Sequence, residues 1–365
     1  MGLACGIVGL PNVGKTTIYD AITLTESASR SPYMFSTKEP ARAAVNVPDP
    51  RLARIAEYIP PEKIIPAQMM VVDIPALVSG SAEGEGMGNT FLGSIKEADV
   101  LLHVVRCFIN DNVQHISGSV DPAVDAEIVA LELMHTDLGT VTRNLERVSK
   151  KARTGDKDAL AQKAAFEKAK ACLEEDKLLR LMEFTDQERE LLKPLFLLTI
   201  KPVLFVANVG DDDTEGQLEH VNALKEYAAR TNAQVLHLCG DLEAEFVRMD
   251  EEERRAFMAD LDFRESGLDR LIHKAFDMLG LQTFFTAGEK QVRAWTIHKG
   301  DTAPVGAGNV HTDFEKKFIR VEVYSFDDLM EHHSEAAIKA AGKMRLEGKD
   351  YVLQEGDLCH FLIGN

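Results

Sequence analysis

Gly9-Leu10-Pro11-Asn12-Val13-Gly14-Lys15-Thr16 is the stretch on which the fold turns. A glycine, four variable residues and then Gly-Lys-Thr follow the apolar run at residues 5–8 and open a helix. That context makes the spacing a P-loop. Glycine lets backbone N–H groups curl round a phosphate, and the following helix adds the positive end of its dipole. Lys15 is then expected to reach the β- and γ-phosphates and the Thr16 hydroxyl to ligate Mg²⁺, with Asn12, Val13, Gly14 and Thr17 completing the cradle. These residues predict binding of a nucleoside triphosphate with Mg²⁺, and its hydrolysis.

Outward from the P-loop, short apolar runs alternate with helical stretches in two blocks. The first holds residues 5–10, 43–47, 68–73 and 100–105; the second holds 203–208 and 234–238. Continuous runs of this kind suit strands buried on both faces of a mostly parallel sheet, so an α/β, doubly wound domain is expected. Between the blocks, Ile128, Leu131, Met134, Leu138, Val141, Leu145 and Val148 recur at spacings of three and four, the seam of a coiled coil. A polar break over 150–156 and a second helical run over 158–182 predict an antiparallel hairpin inserted into the α/β domain. Two ordinary surface helices are the alternative; the Lys/Glu-rich exposed faces favour the hairpin. Beyond Gly280, residues 292–297 and 319–323 alternate like half-buried strands, and the chain ends on another short strand. This reads as a small mixed α+β domain of about 85 residues.

The 365 residues, 45% hydrophobic and 27% charged, are those of an ordinary globular protein with room for two or three domains. No apolar run approaches a membrane span, and the N-terminus lacks the layout of a signal peptide. Cys5, Cys107, Cys172, Cys239 and Cys359 are scattered, odd in number and form no CxxC pair. That pattern argues for a reducing cytoplasm and against zinc or a disulfide framework. A net charge of −18 opposes binding to anionic membrane or to DNA, so any contact with RNA must come from a local basic patch.

Asp73 ends the apolar run at 69–72, where a Walker-B acid sits to hold Mg²⁺. Read without the P-loop it would be a cap or turn former. Thr37, in Phe35-Ser36-Thr37-Lys38-Glu39-Pro40, is a candidate switch threonine and metal ligand; an ST-turn is the plainer reading. His115 lies in the polar loop 110–115, as a group that swings toward the γ-phosphate or as a solvated loop histidine. His103, inside an apolar strand, and Trp295 read as packing residues.

The stretches at 9–17, 73–78, 84–89, 103–108, 242–245, 283–288 and 347–351 together resemble the Obg-like ATPase (YchF) family, over nearly the whole chain. The resemblance implies an OBG-type G domain of the translation-factor class, a coiled-coil insertion and a C-terminal TGS domain of β-grasp type. The domains are then expected at 1–120 with 200–281, at 121–199 and at 282–365. It also implies ATP hydrolysis and association with ribosomes. Residues 9–17 match the first G motif, and Thr37 matches the switch threonine. The third motif, Asp-x-x-Gly in the family, reads Asp73-Ile74-Pro75-Ala76 here, so Asp73 is kept for Mg²⁺ while Ala76 replaces the glycine. The next residue, Leu77, cannot orient an attacking water as glutamine does. The loop over 80–88 is a candidate to close over the site.

Asn208-Val209-Gly210-Asp211 stands where GTPases carry Asn-Lys-x-Asp. The Asn208 amide can pair with N6 and N7 of adenine, and Val209 replaces the lysine that covers the base. Asp211 is the residue type that guanine requires. The family favours adenine and the chemistry keeps guanine open. Cys239-Gly240-Asp241 fills the place of the fifth motif, which lines the base. Asn12 is a candidate ligand for K⁺ beside the phosphates, as in related G proteins with an asparagine there. The resulting expectation is a cytoplasmic, Mg²⁺-dependent ATPase acting as a slow, ribosome-associated switch, with Lys15, Thr16, Thr37 and Asp73 carrying the chemistry. The alternatives are a GTPase of the same fold and a nucleotide-sensing protein that hardly hydrolyses. Lys150, Lys151, Arg153 and Lys157, with Arg147 a turn below, form a basic tip on the hairpin, a candidate contact for ribosomal RNA.

Overall fold

A computed structural model describes residues 3–24, 41–74, 95 and 98–364. Thr37, Ala76, Leu77 and the loop over 80–88 lie outside the described residues. The strands are β1 Ala4–Val8, β2 Arg42–Asn46, β3 Ile64–Ile65, β4 Gln68–Asp73, β5 Val100–Arg106 and β6 Val203–Asn208. They continue with β7 Gln234–Leu238, β8 Leu281–Ala287, β9 Val292–His298, β10 Phe318–Ser325, β11 Arg345–Glu347 and β12 Asp357–Ile363. The chain divides into two units, Met1–Ala43 with Met70–Leu271, and Ala44–Met69 with Ile272–Asn365.

In the first unit β4, β1, β5, β6 and β7 lie side by side in that order, all parallel. Every residue of β1, β5 and β6 is buried, which explains why these strands read as unbroken apolar runs. This is the expected α/β, doubly wound P-loop sheet, and the carboxyl ends of β1, β4, β5 and β6 deliver the P-loop, Asp73, Arg106 and Asn208 to one edge.

The helical insertion is a hairpin of helices Pro122–Ala152 and Lys157–Glu174. The first has 31 residues, about 46 Å at 1.5 Å per residue. Pro122 follows the N-cap Asp121, whose side chain accepts from Val124 N. Gly155, at φ +80°, makes the turn, and Asp156 caps the return helix by accepting from Ala159 N at 3.0 Å. Met134, Val141 and Val148 pack with Phe166, Ala169 and Leu173, as the seam requires. Leu131, expected in that seam, is 46% exposed. The first half of the helix packs on the unit's own body, on helix Glu219–Arg230 and β5, which turns Ala126, Val129 and Leu133 inward instead. The return helix ends at Glu174 rather than Met182 because Asp176 adopts φ +52° and breaks it.

Asp137 sits buried on this helix and accepts from Leu198 N at 2.8 Å, Thr199 N at 2.8 Å and Thr199 Oγ1 at 2.7 Å. Burial pushes its carboxyl up, and these donors and Lys201 oppose the rise. Two residues past Thr199, the buried Lys201 ammonium donates to the carbonyls of Ile95 and Ala98.

The second unit is a mixed sheet in the order β11-β10-β12-β8-β9-β3. Pairs β8–β9, β10–β12 and β10–β11 are antiparallel, whereas β12–β8 and β3–β9 are parallel. Its core holds Phe284, Trp295, Val321, Val323 and Cys359. Trp295 packs as expected, with its Nε1 donating to Thr286 Oγ1 at 2.9 Å. Residues 44–69, which the sequence reading kept with the first block, group with this unit. Arg51 binds Asp49 at 2.7 Å and Glu355 at 2.5 Å, and Tyr58 stacks on His333 at 4.8 Å.

Candidate nucleotide site

The P-loop bends sharply because its glycines permit close approach. A Cβ on Gly14, at φ +89°, would stand 2.1 Å from Asn208 Nδ2, and one on Gly9 would stand 2.7 Å from the Val104 carbonyl oxygen. Asn12 is itself left-handed at φ +63°, a conformation in which asparagine is less penalised than most residues. Helix Lys15–Leu24 starts at the lysine, so its first N–H groups face the loop.

A cleft of about 970 Å³ opens over the P-loop. Asn12, Gly14, Lys15, Thr16 and Thr17 form one wall; Asn208, Val209, Asp211 and Cys239 form another; Phe108, Ile109, Asn110 and Val113 form a third. The structure thus brings most of the expected residues together. Val13 and Gly240 contribute through the backbone: Asn208 Nδ2 donates to Val13 O at 3.0 Å, and Gly240 N donates to Asn208 Oδ1 at 2.9 Å. Asn208 is therefore both a cleft residue and a clamp, with one N–H and one acceptor lone pair left over. Val209 is buried, and Asp211 is exposed in the cleft.

Lys15 is buried, and its Nζ is ion-paired with Asp73 Oδ1. The anionic field of Asp73 reaches further. Burial, then Asp73, then Asp20 push the Tyr19 phenol up to about 12. Burial and Asp73 also raise the Asp20 carboxyl against the pull of Lys15. Hydroxyl and carboxylate oxygens in an anionic corner are the donor set that Mg²⁺ takes when phosphates supply the rest. Thr16 and Asp73 fit that role.

His115 is not the solvated loop group that the sequence allowed. It is buried, its Nε2 is 2.9 Å from Asp125 Oδ2, and its Nδ1 accepts from Ser117 N at 3.2 Å. Both ring nitrogens are engaged, and an approach to the γ-phosphate would have to break both bonds. His103 is buried beside Phe205, and burial, then Arg180, lower its imidazole to about 3. It is the neutral packing histidine expected.

Arg106 was not singled out from the sequence. It is fully buried at the end of β5, donating to the carbonyls of Phe108 at 3.1 Å, Val113 at 2.9 Å and Asn110 at 3.1 Å. It shapes the loop that walls the cleft. Asp241, Leu242 and Glu245 of helix Gly240–Phe246 also line the cleft. An arginine closing an apolar run is the signal that could have been followed; nothing in the sequence marks Asp125.

A parallel sheet with a P-loop on its first strand, a lysine–aspartate pair and an Asn-Val-Gly-Asp wall defines a P-loop nucleotide-binding protein of the GTPase fold class. The pattern of the family described as "50S ribosome-binding GTPase" matches residues 4–134. The C-terminal YchF GTPase pattern, described as a protein of unknown function, matches residues 281–364. The chain is 46% identical over 362 residues to the "Ribosome-binding ATPase YchF" of Escherichia coli O157:H7, covering 99% of both. It is also 46% identical over 364 residues to the protein of that name in Bacillus subtilis, again covering 99% of both. The solved structure of the Schizosaccharomyces pombe YchF GTPase superposes with a TM-score of 0.85 at 33% identity, covering 99% of this chain and 98% of that one. The chain belongs to the YchF family.

Proposed function

We propose that the chain is a Mg²⁺-dependent triphosphatase that hydrolyses ATP in preference to GTP and acts in the cytoplasm as a ribosome-associated switch. The observation that carries this reading is the Lys15–Asp73 pair at a cleft that is lined by the P-loop and by Asn208, Val209 and Asp211. Lys15 would neutralise charge on the β- and γ-phosphates, while Thr16, Asp73 and Thr37 would hold the metal. Mg²⁺, when bound, supplies charge neutralisation of the triphosphate. The rest of the chemistry is positioning of an in-line attack by water, with no covalent enzyme intermediate. The leftover N–H and lone pair of Asn208 suit the N7 and N6 edge of adenine. The relatives' names, "Ribosome-binding ATPase", support both the nucleotide and the partner. Five buried, free cysteines accord with a reducing compartment. Among the described residues no helix is long and apolar enough to cross a membrane. Residues 282–365 are read as a TGS-like domain.

A GTPase is the second reading, favoured by Asp211, whose exposed carboxylate in the cleft is of the type that pairs with guanine. Calorimetric titration with ATP and GTP separates the two. Tighter ATP binding supports the proposal. Tighter GTP binding that is lost in Asp211→Ala supports the alternative.

A further inference from the structure

The helical hairpin is rooted next to the nucleotide cleft, and the root carries a buried carboxyl group that the phosphate chemistry does not use. Asp125 lies in the first turn of helix Pro122–Ala152 and is 2% exposed. Its Oδ2 meets His115 Nε2 at 2.9 Å. Because Ser117 N donates to His115 Nδ1, Nε2 is the nitrogen assigned the hydrogen. The neighbouring residue, Gln114, gives its carbonyl oxygen to Asn12 Nδ2 of the P-loop at 3.1 Å. The same loop is gathered round the Arg106 guanidinium, which binds the carbonyls of Phe108, Asn110 and Val113, and these three residues also line the cleft. One buried hydrogen bond therefore separates the hairpin's root from a loop that touches both the P-loop and the cleft.

We propose that Asp125 is a positioning residue for the nucleotide cleft: through His115 it fixes the loop over residues 108–118 against the P-loop and ties the root of the hairpin to nucleotide binding. The inference rests on the reading of the cleft as a nucleotide site. Asp125 Oδ1 is buried with no hydrogen-bond partner among the described residues. Burial raises the Asp125 carboxyl, the His115 bond and the Arg106 charge pull it down, and Asp121 adds to the rise. A half-satisfied buried carboxylate is costly and calls for an explanation. A pin for the helix start would not need one, since Asp121 already caps that end. The contact that Asp125 adds is with the loop.

Two variants open the latch from opposite sides. Asp125→Leu keeps the side chain's approximate size and removes the acceptor; Asp125→Asn keeps an acceptor for Nε2–H. His115→Ala opens the latch from the loop and leaves the helix sequence intact, which covers the case in which Asp125→Leu fails to fold. ATP affinity is measured by calorimetry, and hydrogen exchange of residues 107–118 is followed without nucleotide. Asp125→Leu and His115→Ala are expected to raise the Kd for ATP by about 3- to 30-fold, the range of coupling through a packed network. Both should speed exchange in the loop, while Asp125→Asn stays near the parent in each readout. A parent that binds ATP, with either folded latch-opening variant at the parent's affinity or the parent's loop exchange, overturns this inference and leaves the proposed function standing. A parent that binds no nucleoside triphosphate overturns both.

Discussion

Asn208 holds the P-loop at Val13: its Nδ2 donates to the Val13 carbonyl oxygen at 3.0 Å, while its Oδ1 accepts from Gly240 N at 2.9 Å. Three segments from distant parts of the chain meet on one amide. Asn208→Ala is expected to weaken ATP binding by roughly 1–3 kcal/mol, the value of a bidentate base contact. It should also cost folding stability, because two buried backbone groups lose their partner. Calorimetry and urea unfolding read the two effects separately. An Asn208→Ala protein with the parent's affinity would show that the amide is a clamp and nothing more.

Glu243 gives a prediction about pH. It is buried on helix Gly240–Phe246, where its Oε1 accepts from Gly267 N and its Oε2 has no partner among the described residues. Burial raises its carboxyl from 4.5 to about 7, against the backbone donors of Gly267 and Leu268. The folded protein thus holds this proton more tightly than the unfolded chain. The associated stability is fully present below about pH 4.5 and is lost as pH rises through about 7. Glu243→Gln keeps an acceptor for Gly267 N and removes the charge. It should abolish this loss, on the order of 3 kcal/mol for a shift of that size. Thermal unfolding at pH 5 and pH 8 checks it; equal pH dependence in parent and variant would contradict it.

The hairpin tip bears on the partner. Arg147, Lys150, Lys151, Arg153 and Lys157 are all exposed around the turn at Gly155. They stand at the end of a helix about 46 Å long, on a chain of net charge −18. Reversing Lys150, Lys151 and Arg153 to Glu is expected to weaken co-sedimentation with ribosomes and flatten its salt dependence. ATP turnover without ribosomes should barely change. Unaltered pelleting of the triple variant at every salt concentration, with pelleting lost on removal of residues 282–365, would move the contact to the C-terminal domain.

Asn12 bears on monovalent cations. Its Nδ2 is committed to Gln114 O at 3.1 Å, so its Oδ1 is the side-chain atom that would serve as a cation ligand. Turnover is expected to be faster in K⁺ than in Na⁺, with Asn12→Ala losing the difference. Equal rates in the two salts would remove K⁺ from the account.

How much of this was legible in the sequence follows the periodicity of each signal. The buried parallel strands and the P-loop carry local, redundant signatures, so β1, β4, β5 and β6, with the P-loop, Asp73 and Asn208 at the carboxyl ends of three of them, could be read directly. The hairpin was visible as a seam, yet Leu131 was misassigned because the first half of that helix packs on the body of its unit, which the spacing does not encode. The burial of His115, and the roles of Arg106 and Asp125, were missed for a common reason. Their roles are set by partners brought together in space, and a buried histidine–aspartate pair looks in sequence like two polar loop residues. Asp137 is a fourth case: an aspartate among apolar helix positions is ordinary until Leu198 and Thr199 arrive to donate to it.

The central claim is that the cleft over the P-loop turns over ATP, and Lys15 tests it most directly. Lys15 is buried and paired with Asp73, so truncation removes the phosphate-facing charge and frees the carboxylate together. Phosphate release is measured with ATP and with GTP in Mg²⁺, for the parent and for Lys15→Ala shown to be folded by circular dichroism. The account expects a higher kcat/KM for ATP than for GTP in the parent, and no turnover of either above background in Lys15→Ala. A folded Lys15→Ala protein that releases phosphate at the parent's rate, or a parent that hydrolyses neither nucleotide, would contradict it.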